Sequence, residues 1–149
     1  MQTNYRIAQN TDIDSIYQFA EDRLRASVPD EMDLMMKVWE SRFRKEALEH
    51  YLKMGWSFVG FDPQGKIVGF FIGQPLLFFE GQTQTLWVEM ISAVDYKIEA
   101  DLAEIAIRLA RDKHFQRAIL PQSVQTLHYE RPYTFNVYSE SCVWVKTTK

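Results

Sequence analysis

Hydrophobic positions in the first third of the chain follow a helical period, and those in the middle follow the period of strands. Residues 5–8 predict a short first strand. Apolar residues at helical spacing then predict a helix that starts at Thr11 and stops before Pro29. A second helix is predicted from about residue 33 to residue 54, where Gly55 would end it. Its apolar stripe, which we expect in the core, comprises Met36, Trp39, Phe43, Ala47 and Tyr51.

Aromatic and β-branched residues dominate the middle of the chain. They predict two strands, at residues 56–61 and 66–74, with a Pro- and Gly-containing turn between them. The second strand would continue past Pro75 to Phe79 if the proline lies at a bulge or on an edge, since it has no amide to donate. A long strand at residues 83–94, largely apolar near its end, is typical of a buried central strand.

The last third begins with a helix whose apolar face comprises Ile98, Leu102, Ile105 and Leu109. A strand at residues 117–120 follows, residues 122–131 are ambiguous, and residues 133–146 predict one or two strands. This order of elements predicts a single domain over residues 1–149. The class is α+β, with a mixed central sheet and helices on both faces.

Composition narrows the classes of function. The chain has 149 residues, of which 46% are hydrophobic and 25% charged, and this profile is typical of a globular protein with a core. Its formal net charge is −3, whereas proteins that bind nucleic acid or anionic membranes are more often basic, so both partners are disfavoured. Cys142 is the only cysteine, which excludes an internal disulfide and indicates the cytoplasm.

Several segments, in their order along the chain, resemble the GNAT N-acyltransferase superfamily. "YRIAQNTDIDSIYQFAEDRL" is similar to the first strand and helix of that family, "GKIVGFFIGQ" to its third strand and "TLWVEMISAVD" to its fourth. "LARDKHFQRAILP" is similar to the end of the central helix and the fifth strand, and "LHYERPYTF" to a later segment with a tyrosine. The resemblance implies a GNAT-like fold that transfers an acyl group, such as acetyl, from acyl-CoA to a small-molecule or peptide amine.

The same resemblance implies a set of site residues. Glu89 lies on the predicted fourth strand, where several family members place the base that takes the proton of the amine, and Tyr129 in "HYER" matches the acid. The alternative for Glu89 is a strand carboxylate that faces solvent or pairs with a lysine, and for Tyr129 a packing role. The resemblance also implies acyl-CoA binding along the backbone of Ile91, Ser92, Ala93 and Val94, with Lys97 beyond it.

The glycine-rich loop of the family is missing between the fourth strand and the central helix. Members carry a Gln/Arg-x-x-Gly-x-Gly/Ala loop whose amides hold the CoA pyrophosphate, whereas here Asp95 leads almost directly into the helix. Lys97 and Glu99 fall where the family has glycines, and we expect Glu99 and Asp101 in the first helical turn, at the positive end of the dipole. Carboxylates there would repel the CoA pyrophosphate, so they predict weak acetyl-CoA binding. The positive charge of Lys97 offsets part of this repulsion.

Two other classes of function stay open. One is a GNAT-like binding or assembly module without catalysis, and a gap between the fourth and fifth strands, where the family holds CoA, would favour the enzyme instead. The other is an unrelated ligand-binding domain with a pocket among Trp56, Phe70, Phe78 and Trp87. No histidine has metal-ligand spacing to another histidine or to the cysteine, so no metal is expected.

Two apolar segments bear on partners. Met32, Met35 and Met36 would suit a pliable binding face, but helix core is the stronger interpretation. Residues 133–145 are aromatic and β-branched, and no later segment is available to cover them. Because an exposed edge strand tends to pair with another chain, we expect a homodimer.

Overall fold

A computed structural model describes residues 2–124 and 133–148 of the chain. The helices are α1 (Ile13–Ser27), α2 (Glu31–Glu40), α3 (Lys45–Met54) and α4 (Tyr96–Asp112), and a one-turn 3-10 helix at Asn10–Asp12 precedes α1. The strands are β1 (Asn4–Ile7), β2 (Phe58–Phe61), β3 (Ile67–Phe79), β4 (Gln82–Ala93), β5 (Arg117–Pro121), β6 (Asn136–Val137) and β7 (Cys142–Lys146).

The described strands form a seven-stranded sheet in the order β1-β2-β3-β4-β5-β7-β6. β4 and β5 are parallel, because α4 crosses between them, and the other neighbours are antiparallel. One apolar cluster joins the sheet to α4, and a second joins it to α1 and α3. Neighbouring residues of β3 serve opposite clusters: Phe71 packs on the α4 side, and Phe70 and Ile72 pack on the α1/α3 side. The predicted α+β sheet with helices on both faces is confirmed.

The single helix expected over residues 33–54 is wrong, because residues 41–44 separate α2 from α3. Ser41 has an extended backbone (φ −81°, ψ 162°), and its hydroxyl donates to the Val38 carbonyl at 2.7 Å, which ends α2. The break divides the predicted stripe: Phe43 and Tyr51 are buried, but Met36 and Trp39 are 57% and 69% exposed. The core assignment of Met32 and Met35 is wrong for the same reason, since α2 turns this face to solvent.

Pro75 lies inside β3, opposite Leu86 of β4. Pairing of β3 with β2 ends at Phe71, so the proline lies where β3 has one neighbouring strand. The predicted edge position is therefore confirmed. An amide N–H at this position that faced away from β4 would have had no strand to donate to. The absence of an N–H in proline therefore costs little there.

The C-terminal run does not form the long exposed edge that we expected. β7 lies between β5 and β6, so both of its sides are paired, and the outer strand is the two-residue β6. Short edges of this kind are one way in which proteins limit strand pairing between chains. The homodimer stays a prediction, but the C-terminal run no longer supports it as an exposed edge.

The predicted aromatic pocket is also wrong. Phe70 is buried on the α1/α3 side, Trp56 packs against Phe115 on the α4 side, and Phe78 is 82% exposed. These rings therefore lie in different environments and line no common cavity. Within residues 2–124 and 133–148, no helix has the length and apolar character needed to cross a bilayer.

β3 packs closely at Gly73 against the segment that leads into β2. Its amide donates to the Ser57 hydroxyl at 3.1 Å, and a Cβ added there would lie 2.6 Å from the Trp56 carbonyl oxygen. Because that oxygen belongs to the backbone, we expect Gly73→Ala to lower the free energy of unfolding by about 1–3 kcal/mol. Urea denaturation measures this. Leu77→Ala, on the exposed part of the same strand, should stay within about 0.5 kcal/mol of the wild type.

Candidate active site

β4 and β5 separate soon after they meet. Residues 85–87 of β4 pair with residues 117–119 of β5, and the pairing then stops. β4 continues along β3 to Ala93, whereas β5 continues along β7 to Pro121. Residues 88–93 of β4 therefore present an edge that no described strand covers on the β5 side. The fourth and fifth strands are therefore separated by a gap, which is the observation that distinguishes the enzyme from the binding module.

A β-bulge lies at the start of this open edge. The register of β3 against β4 moves from Gly73↔Val88 to Ile72↔Met90, which leaves Glu89 as the extra residue. The extra residue changes the alternation of side chains. Val88 packs into the α4 cluster, but Glu89 and Met90 both point to the α1/α3 side.

The Glu89 carboxylate is 7% exposed and is held from three directions. Its Oε1 lies 3.0 Å from Nε of Arg42, and its Oε2 accepts from Nε2 of Gln74 at 2.7 Å. The Tyr51 hydroxyl donates a further hydrogen bond to it. The alternative interpretation of Glu89, as a solvent-facing or lysine-paired carboxylate, is therefore wrong.

Three separate elements supply the partners of Glu89. Gln74 comes from β3, Tyr51 from α3, and Arg42 from the connector between α2 and α3. The sequence assigned Tyr51 to the core and did not single out Arg42 or Gln74. One signal was available, because a tyrosine in an apolar stripe brings a hydroxyl that needs a hydrogen-bond partner when buried. Arg42 had no comparable signal, since the helix break that places it was not predicted.

The start of α4 is closed by its own side chains. Asp95 is the N-cap, and its Oδ1 accepts from the Ile98 amide at 2.9 Å. Glu99 lies in the first turn as expected, and its Oε1 accepts from the Ser123 hydroxyl at 2.6 Å. Lys97 is exposed beside it.

Asp101 is not in the first turn, and that expectation is wrong. α4 begins at Tyr96, so Asp101 lies in the second turn, where it accepts from the Tyr5 hydroxyl of β1 at 2.8 Å. Burial, followed by this hydrogen bond, raises the pKa of Tyr5. Asp101 therefore ties α4 to β1 and does not face a ligand at the helix start.

The remaining expected site residues are only partly placed. Ile91, Ser92 and Ala93 lie on the open edge of β4, and Val94 follows it, with its amide donating to the Val68 carbonyl at 2.9 Å. Tyr129 falls in residues 125–132, outside the described part of the chain. The described residues include no group of three or more His, Cys, Asp or Glu that could hold a metal.

A cleft of about 860 Å³ lies between α1 and the β2–β3 turn; Val94 is among its lining residues, but Glu89 is not. Its charged lining is mixed, with Asp14 and Asp22 against Arg23 and Lys66. The gap beside Glu89 is the better candidate site, because a buried carboxylate and unpaired strand backbone meet there. Size alone does not identify a site.

The seven-stranded mixed sheet with helices on both faces matches the GNAT-like α+β fold. No protein-family model and no curated sequence matches the chain, so the likeness lies in structure.

Solved structures with this fold align over nearly the whole chain. The PaiA N-acetyltransferase from Thermoplasma acidophilum, in complex with coenzyme A, superposes with a TM-score of 0.71 at 12% identity and covers 100% of both chains. Arylalkylamine N-acetyltransferase 2 from Aedes aegypti gives 0.67 at 12% identity, over 99% of this chain and 100% of that one. The polyamine N-acetyltransferase of Drosophila melanogaster, which forms N-acetylagmatine, gives 0.65 at 12% identity, over 97% and 98%. At these identities the likeness establishes the fold.

The Tyr51–Glu89 hydrogen bond predicts a pH dependence of stability. Burial, and then the hydrogen bond to Glu89, raises the pKa of Tyr51 from 10.0 to about 12. The folded state thus favours the neutral phenol, and this contribution is fully present below pH 10 and is lost as the pH rises toward 12. We expect the free energy of unfolding of Tyr51→Phe to fall less steeply over this range than that of the wild type. Denaturant titrations at several pH values measure both slopes. Equal slopes would contradict the assignment.

Proposed function

We propose that this protein is an acyl-CoA-dependent N-acyltransferase that transfers an acyl group, such as acetyl, to an amine. One observation supports this most strongly: the uncovered edge at residues 88–93 of β4 contains the buried Glu89 carboxylate at its bulge. Proteins of the same fold are N-acetyltransferases by name, and one was solved with coenzyme A. The names of these proteins support the proposal, because the gap lies in a sheet of the fold that they and this chain have in common.

The open edge of β4 fits the pantetheine arm of acyl-CoA. That arm contains amide groups, and an edge strand offers unpaired N–H and C=O groups to an extended partner. Ile91, Ser92 and Ala93 would hold it, and acyl-CoA would supply the acyl thioester. The start of α4 fits the pyrophosphate less well, because Asp95 already occupies the Ile98 amide and Glu99 adds negative charge. Lys97 is the nearby positive side chain.

Glu89 is suited to take a proton from the acceptor amine. A carboxylate offers about four lone-pair positions. Gln74 and Tyr51 donate hydrogen bonds to the carboxylate, and Arg42 forms an ion pair with it. A remaining lone-pair position accepts an N–H from the amine, directly or through one water, so the amine loses its proton as it becomes a nucleophile. Tyr129 remains the proposed acid.

A second candidate, a GNAT-like binding or assembly module without catalysis, is favoured by the start of α4. Glu99 and the Asp95 cap use the helix N-terminus for the protein's own carboxylates, where a ligand phosphate would otherwise gain from the dipole. Detection of acyl transfer to any amine would contradict this candidate.

Glu89→Gln tests the proposed base. The amide keeps the shape of the carboxylate but cannot take a proton, so we expect the rate of acyl transfer to fall about 10²-fold or more. Consumption of acetyl-CoA with an amine acceptor measures the rate. Glu49→Gln is the matched control, since Glu49 is an exposed carboxylate on α3. An unchanged rate in Glu89→Gln, with folding verified by thermal unfolding, would remove Glu89 from the mechanism.

Glu99→Gln tests the charge at the start of α4. We expect wild-type acetyl-CoA binding with a Kd on the order of 0.1 mM, and removal of the Glu99 charge should tighten it up to about tenfold. Asp101→Asn is the control, because Asp101 bonds to Tyr5 in the second turn, and its Kd should stay within about twofold of the wild type. Calorimetry measures all three proteins. Micromolar binding by the wild type would show that Glu99 is no obstacle.

A further inference from the structure

Arg42 presents an unused donor surface next to Glu89. Its side chain is 59% exposed, and it meets Glu89 through Nε. A guanidinium has five N–H donors in a planar fork. Among residues 2–124 and 133–148, no acceptor is found for the four donors on its two Nη atoms. The fork is therefore available to a planar anion such as a carboxylate.

Glu89 and Arg42 together form a site with two charges. The buried carboxylate still has lone pairs that can accept a hydrogen bond, and the Nη donors of the guanidinium beside it are also left. A ligand that carries an ammonium next to a carboxylate matches both, because its positive group meets Glu89 while its negative group meets Arg42. An α-amino acid has this arrangement.

An acceptor without a carboxylate would match the site less well. The positive charge of Arg42 repels the ammonium of such an acceptor near Glu89, and the acceptor has no carboxylate to offset this repulsion. Arylalkylamine and polyamine acceptors, for which two of the structural neighbours are named, carry no carboxylate. The arginine thus separates this site from one built for a plain amine.

We propose that the acceptor of this protein is an α-amino acid, with its ammonium on Glu89 and its carboxylate on the Arg42 fork. This inference rests on the proposed N-acyltransferase function and specifies its substrate class. The bond that forms joins the amino nitrogen to the acyl carbon. The bond that breaks is the C–S bond of the acyl thioester, and CoA leaves as its thiolate. The ammonium loses two protons in all: one goes to Glu89 before the attack, and the loss of the second, as the amide forms, is balanced by the proton that the thiolate takes up to give the CoA thiol.

The experiment compares acceptors that differ only in the carboxylate. Arginine is measured against agmatine, and phenylalanine against phenethylamine, with acetyl-CoA as donor. We expect kcat/KM to be at least about tenfold higher for each amino acid, as a charge-assisted hydrogen bond to a carboxylate would provide. In Arg42→Gln this ratio should fall toward one. The ratio is the readout, because any effect of Arg42 on Glu89 itself cancels between the paired acceptors.

Matched variants separate the fork from simple charge. Arg42→Lys keeps the charge but not the planar fork, so its ratio should lie between those of the wild type and Arg42→Gln. Arg44→Gln is the control, since Arg44 is a nearby cation that stacks on Trp39 and should leave the ratio unchanged. Loss of the ratio in Arg44→Gln would overturn the assignment to Arg42.

The possible outcomes distinguish this inference from the proposed function. Transfer to agmatine and phenethylamine that equals or exceeds transfer to the amino acids would overturn the inference and leave acyl transfer standing. No transfer to any acceptor would count against the proposed function, and calorimetry with arginine then decides the inference alone. Arginine binding that Arg42→Gln weakens about tenfold would support the carboxylate site. Absence of arginine binding would overturn it.

Discussion

The burial of one negative charge at the β4 bulge sets the requirements for much of the surrounding structure. A buried carboxylate is costly unless it is paired and hydrogen-bonded, and Glu89 is 7% exposed. Its partners come from β3, α3 and the α2–α3 connector, so three elements must be placed together before the charge is tolerated. The helix break that exposes Trp39 is part of that arrangement, because it carries Arg42 to Glu89. The network therefore couples the helical layer to the sheet at the candidate site.

The gap beside Glu89 needs a firm closed end, and Arg117 provides it. This residue is 9% exposed at the first β4–β5 pair, where it donates to the Thr85 hydroxyl at 3.4 Å and to Glu80 at 3.1 Å. The rings of Phe79, Tyr138 and Trp144 lie within 6 Å of its guanidinium carbon. Cation–π contacts and hydrogen bonds thus tie the β3–β4 hairpin, β5 and the C-terminal strands together at that end. Beyond it β4 and β5 are free to diverge.

The sequence predicted what local pattern controls. Strand periods, the proline at an edge and the strand position of Glu89 follow from neighbouring residues, and the order of elements was enough for the fold. The break at Ser41 was missed because no Gly or Pro marks it, and a serine hydroxyl bonded to the Val38 carbonyl ends the helix instead. The Arg42–Glu89 pair joins residues far apart in sequence, so no local pattern predicts it. Asp101 was misplaced because its turn depends on where α4 starts.

The bulge and the gap have different physical effects, and both act on the strand segment at Glu89. In a regular strand Glu89 and Met90 would point to opposite faces, and one of them would enter the α4 core. The extra residue sends both to the α1/α3 side, while Val88 keeps its place in the α4 cluster. The gap then leaves the backbone of the same segment without a partner on β5, which is a cost in a protein interior unless water or a ligand pairs with it. A strand that combines an uncovered backbone with a carboxylate turned away from the α4 cluster is arranged for a ligand that needs both.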